Sequence, residues 1–260
     1  VDLADLREYQ PGDDVRYIDW NVSARMDTTH IRQYTEDREI SAWFLLDLSP
    51  SVDFGTVDAE RAKRTVLIDF VTTLARLLTR RGNRVGAMFY GDGADRTIPP
   101  HSGRDQVLRL IADLLAEPRL TRAPLTDLGP LLDAGRRVIK RRSLVFIVSD
   151  FISVPGWERS LNLLNRRHEV VAVRLLDPRE VDLPDVGPLI MEDAETGDQL
   201  YVDTHDPTFR QRFREAAQRR EAAVNQAFTR SGVDALALST DEDLVRAIVR
   251  MATLRRGRRR

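Results

Sequence analysis

The chain has 260 residues, 42% apolar and 31% charged, with a formal net charge of −1. That length and balance suit a globular domain with a sizeable core and exclude wholesale disorder. The near-zero net charge argues against a nucleic-acid partner, and the absence of cysteine excludes disulfides, thiolate metal sites and cysteine nucleophiles.

Of 40 basic residues only Lys63 and Lys140 are lysines; arginine spread along the whole chain reads as coding bias rather than as an anion site. Apolar runs such as Trp43–Leu46 and Leu144–Val148 are too short to span a bilayer, and no signal peptide is visible. A cytoplasmic location is expected, with membrane association only through a segment outside this chain.

Residues 1–39 form a segment dense in charge and aromatics, with a turn at Pro11-Gly12-Asp13-Asp14 and a short strand at His30–Tyr34. It is expected to pack on the main domain through a buried ion-pair network of Arg7, Asp14, Arg16, Asp19, Arg25 and Arg38. Tyr17, Ile18 and Trp20 are its expected packing residues.

Residues 40–254 alternate strand and helix. Ile40–Leu46 is a strand running into Asp47, and Ala59–Arg80 is a helix with apolar residues at Ala62, Val66, Phe70, Leu74 and Leu77. A strand follows at Arg84–Tyr90. Ser102 with Asp105 predicts a capping box that opens a helix through Leu115. Thr126 is the predicted N-cap of a helix over Asp127–Arg141, and Ser143–Ser149 is a buried strand running into Asp150.

Next come a helix at Trp157–Arg167, a strand at Glu169–Leu175, and a hairpin of Leu189–Glu192 with Gln199–Asp203. A helix (Pro207–Arg230), a strand (Asp234–Leu238) and a helix (Asp241–Leu254) complete the domain. Residues 255–260 are expected to be a frayed basic tail. The alternation predicts a doubly wound α/β fold: a mostly parallel sheet with helices on both faces, plus the N-terminal extension and the hairpin insertion.

The chemistry concentrates where buried strands end. Asp47-x-Ser49-x-Ser51 follows one strand, Asp150 follows another, and Thr126 opens a helix between them. Hydroxyls and carboxylates without His or Cys suit a hard cation such as Mg²⁺, which takes oxygen ligands and keeps several waters. Asp127 and Asp92 are lesser candidates for the same site. The four histidines, His30, His101, His168 and His205, lie far apart and are expected at the surface or satisfied.

Asp47 also has the strand-end position of the nucleophile in a Mg²⁺-dependent phosphohydrolase. The position two residues on is Ser49, which cannot supply the acid/base carboxylate, and no phosphate or dinucleotide loop is present. A non-enzymatic role is expected.

Asp47, Ser49, Ser51, Thr126 and Asp150 together resemble the metal-ion-dependent adhesion site of von Willebrand A domains. The resemblance implies that Ser49, Ser51 and Thr126 ligate Mg²⁺ or Mn²⁺ directly and Asp47 and Asp150 through water. An open position would then take an Asp or Glu carboxylate from a protein partner. Pro50 stands where that loop usually has glycine, so a metal-independent scaffold with a degenerate loop is the alternative.

Residues Leu6 to Trp20 (LREYQPGDDVRYIDW), with Ala24-Arg25 and Glu36-Asp37-Arg38-Glu39, resemble the signature of the bacterial domain-of-unknown-function 58 family. That resemblance implies a von Willebrand A-like domain working beside a MoxR-type AAA+ ATPase or its client. The implied role is that of an adaptor in assembling or maturing a protein complex.

Overall fold

A computed structural model describes residues 2–35, 40–53, 61–91, 96–119, 125–193 and 196–258, and the chain divides into two units, 1–39 and 40–260. In the first, β1 (Asp2–Glu8) pairs antiparallel with β2 (His30–Thr35), and α1 (Trp20–Met26) lies between them in sequence. Asp19 opens α1: its carboxylate accepts from the backbone N–H groups of Asn21 and Val22 at 3.0 and 3.2 Å.

Among the described residues of the expected ion-pair network, Arg7 pairs with Asp13 at 2.7 Å and Arg16 with Asp14 at 2.6 Å, both over short range. Partners two to six residues apart close within a turn, before any longer loop has to be ordered. Asp19 is buried and caps α1, Tyr17, Trp20 and Arg25 are exposed, and Arg38, an expected member of the network, lies outside the described residues.

The second unit holds β3 (Ser41–Asp47), β4 (Arg84–Tyr90), β5 (Arg96–His101), β6 (Leu144–Ser149) and β7 (Glu169–Leu176). The hairpin β8 (Pro188–Glu192) and β9 (Gln199–Asp203) and the strand β10 (Asp234–Ser239) follow. Six strands form one sheet in the order β10-β7-β6-β3-β4-β5, parallel throughout except for β5. The helices are α2 (Pro50–Asp53), α3 (Lys63–Thr79), α4 (Arg104–Ala116), α5 (Leu128–Val138), α6 (Trp157–Asn165), α7 (Pro207–Ser231) and α8 (Leu244–Arg258).

Strand pleating sends alternate side chains to two separate cores. Ala42, Phe44, Leu46, Phe146 and Val148 meet α3, α4 and α8 on one face. Trp43, Leu45, Val145 and Ile147 meet α5, α6 and α7 on the other. Both faces of β3, β4, β6 and β7 are therefore dry, which is why they read as continuous apolar runs.

Three local expectations are corrected. Gly103, at φ 91°, takes the N-cap of α4 with no side-chain bond, so the capping box at Ser102 does not form. Asp127 rather than Thr126 caps α5, accepting from Gly129 N at 2.8 Å. The last helix runs on to Arg258, since arginine is a good helix former and its charge suits a helix C-terminus. Among the described residues no helix is long and apolar enough to cross a membrane.

His168, which precedes β7, is buried instead of exposed, and neither ring nitrogen has a hydrogen-bond partner of ordinary geometry. Burial first, and then the positive charge of Arg167, hold its pKa below the ordinary value. The folded state therefore keeps His168 neutral where the unfolded chain would protonate it. Its stabilising share is complete above about pH 6.5 and is lost as pH falls below that, with a slope of at most about 1.4 kcal/mol per unit. His168→Leu is expected to flatten that slope in urea titrations taken downward from about pH 6.5.

Candidate functional site

The chain leaves β3 toward β4 on one side of the sheet and β6 toward β7 on the other, although β3 and β6 are hydrogen-bonded neighbours. Their carboxyl ends therefore flank a crevice at the point where the strand order reverses, the usual place for a site in an open parallel sheet. Asp47 is the last residue of β3 and Ser149 the last of β6. Asp47 is fully buried; its Oδ2 accepts from the Ser149 hydroxyl at 2.6 Å and its Oδ1 from Ser49 N at 3.0 Å. One carboxylate thus joins both strand ends to the loop after β3.

That loop brings the Ser49 and Ser51 hydroxyl oxygens to 3.0 Å from each other. Adjacent ligands of an octahedral cation at ~2.1 Å are themselves about 3 Å apart, so the pair matches one edge of such a shell as well as a mutual hydrogen bond. Pro50 does not disturb this arrangement. It is the first residue of the single-turn helix α2, where its missing N–H would have had no helical partner.

Asp150 follows β6 with Oδ1 accepting from Ile152 N at 2.9 Å. The next residue, Phe151, holds a left-handed backbone at φ 59°, which is unfavourable for a bulky side chain. Its N–H is fixed by the Ser149 hydroxyl at 2.8 Å, and its ring packs edge-on to Phe228 with centroids 4.8 Å apart. Aromatic packing behind the turn so holds the strained backbone that follows Asp150. Thr126 is buried, and its carbonyl accepts from Val154 N at 2.9 Å, which ties the segment before α5 to the loop after Asp150.

Burial first, and the charge of Asp150 second, push the Asp47 carboxyl up to about 6 against the hydrogen bonds from Ser149 and Ser49. The two acids therefore sense each other across the crevice. An all-oxygen set of this kind fits a hard divalent cation, with Ser49 and Ser51 offering direct ligands and the two carboxylates keeping free lone pairs for bound water.

The profile of the family described as "Protein of unknown function DUF58" matches residues 5–223. This chain belongs to the DUF58 family. An uncharacterized protein of Mycobacterium tuberculosis (strain ATCC 25618 / H37Rv) is 38% identical to this DUF58 chain over 252 residues, 96% of the chain and 78% of the relative. Among solved structures, the SpRpn10 VWA domain is similar at 12% identity and a TM-score of 0.46, over 80% of this chain and 93% of that one. BatB from Bacteroides thetaiotaomicron is similar at 11% identity and a TM-score of 0.45, over 74% and 98% of the two chains.

Sequence reading missed the cation already present in this DUF58 crevice. Lys63, the first residue of α3, is fully buried and reaches Asp150 Oδ2 at 2.8 Å and Glu180 Oε1 at 2.6 Å. Burial alone would lower the Lys63 pKa, but the charges and hydrogen bonds of Asp150 and Glu180 outweigh it and raise it. Ser149, the residue that clamps Asp47, was also overlooked as a site residue; its place at a strand end was the available signal. Asp127 is a helix cap and Asp92 lies outside the described residues. Among the described residues no group of three or more His, Cys, Asp or Glu side chains is placed to hold a metal ion.

Proposed function

We propose that this DUF58 chain is a non-enzymatic, von Willebrand A-like adaptor that grips a protein partner at the carboxyl ends of β3 and β6. Ser49, Ser51 and Thr126 hold Mg²⁺ or Mn²⁺, Asp47 and Asp150 act through bound water, and the open position takes an Asp or Glu side chain of the partner. The observation that carries this reading is the 3.0 Å approach of the Ser49 and Ser51 oxygens beside Asp47. The strand order and the switch-point location support it.

Catalysis by Asp47 is disfavoured, because Ser49 stands where a phosphohydrolase needs its acid/base carboxylate. The expected partner is a MoxR-type AAA+ ATPase or its client, in cytoplasmic assembly or maturation of a complex. The signature resemblance of the segment between Leu6 and Glu39 supports that choice.

Pull-down of a MoxR-type ATPase by the immobilised chain is expected to require Mn²⁺, falling at least about tenfold in EDTA or in Ser49→Ala. Retention that survives both changes would replace this reading with that of a metal-independent scaffold. One observation favours that second reading: the Lys63 ammonium already supplies a positive charge to Asp150.

A further inference from the structure

We propose that Lys63 is a built-in counter-ion that holds Asp150 in place without metal and so sets a low affinity of the crevice for divalent cations. The inference rests on the metal-site reading above and deepens it.

Lysine is a poor choice for the first turn of a helix, where a positive charge opposes the helix dipole. It is also the rare cation in this chain, one of two lysines among 40 basic residues. A planar guanidinium forks toward a pair of oxygens in one plane, whereas a compact ammonium can bridge two carboxylates arriving from different elements. Asp150 comes from the end of β6, and Glu180 from the 3₁₀ turn Pro178–Glu180 after β7. Both ion pairs are short and the ammonium is sealed from water, so solvent does not screen its charge.

Asp150 therefore has its charge balanced by Lys63, while it still senses Asp47, whose carboxylate holds the Ser49 loop. A divalent cation entering there gains less from a neutralised Asp150 than from a bare one, and it is repelled by the ammonium. Arg174 adds to the same field. It is buried on β7, pairs in register with Ser149, and its Nε has no hydrogen-bond partner. Lys63 thus acts through Asp150 as a positioning residue.

The test is isothermal titration of the full chain with MnCl₂, comparing wild type with Lys63→Gln, which removes the charge and keeps hydrogen-bond donors. A Lys63→Met/Glu180→Gln double variant, which also removes the carboxylate the lysine would strand, is measured in parallel. Circular dichroism in EDTA identifies which of the two is folded, and either one decides. The expected result is a Kd for Mn²⁺ at least about tenfold lower than in wild type, together with a Mn²⁺-dependent rise in Tm larger than that of wild type. Damage to the loop would weaken binding, so tightening has the opposite sign to a merely structural effect. An unchanged or weaker Kd in a folded variant overturns the Lys63 proposal and leaves the adaptor reading standing. Absence of binding in wild type and in every folded variant overturns both.

Discussion

Asp150→Ala is expected to destabilise the metal-free protein by about 3 kcal/mol, near the lower end of what breaking a buried ion pair costs. The Lys63 and Asp150 side chains are 0% and 1% exposed, so neither solvent nor salt softens the loss. The substitution leaves the ammonium with Glu180 alone and strips Ile152 N of its acceptor. Glu180 keeps the loss from the upper end of the range, because one counter-charge remains. The check is urea unfolding in EDTA, with Asp150→Ala combined with Lys63→Met as the closing corner of a double-mutant cycle. If the pair matters as argued, the loss in the double variant is smaller than the sum of the two single losses, since both single variants break the same Lys63–Asp150 contact. Strict additivity of the two losses would show that each side chain acts through separate contacts.

How far the site could be read from the sequence follows from contact range. Asp47, Ser49 and Ser51 are within five residues of each other, and a strand ending in Asp is visible as a continuous apolar run that stops. β3, β6 and β7 are visible for the same reason, being buried on both faces. β5 is not, because Pro99 and Pro100 argue against a strand unless it lies on an edge, and only the sheet order shows that it does. There Gly86 of β4 admits the close approach: a Cβ on it would lie 2.9 Å from the Ile98 carbonyl oxygen. The bridge from Lys63 to Glu180 joins residues 117 apart, and no local pattern announces it. Lys63 stood out only as an unusual residue type, a signal that gains meaning once the topology places α3 beside the ends of β6 and β7.

In the first unit the lesson runs the other way. Arg7, Asp13, Asp14 and Arg16 pair over short range, and charge density alone could not tell such turns from a buried network. Asp19 made a plain cap signal, an acid just before Trp20 and Asn21, that went unread because the following helix is only seven residues long.

Asp47→Asn is expected to have the opposite sign from Asp150→Ala: a more stable metal-free protein that has lost its cation. Asp150 has Lys63 as a counter-charge, whereas Asp47 is held by neutral donors only and is repelled by Asp150. A carboxyl moved from 3.8 to about 6 in the folded state opposes folding by about 3 kcal/mol once both states are ionised, at about 1.4 kcal/mol per unit. An amide removes that penalty but turns an N–H₂ toward one of the two donors, so a net gain of about 1–2 kcal/mol is expected. The raised pKa also sets the pH window. The gain is full above about pH 6, shrinks as pH falls through the interval where the folded state alone is protonated, and vanishes below about 3.8. Urea unfolding in EDTA at several pH values measures it, and titration with Mn²⁺ at neutral pH measures the loss of binding. A residue whose replacement stabilises the fold while abolishing cation binding is present for the cation and not for the fold. If Asp47→Asn instead destabilises the protein at every pH, the carboxylate serves as the clamp between β3 and β6, and the metal reading loses its central acid.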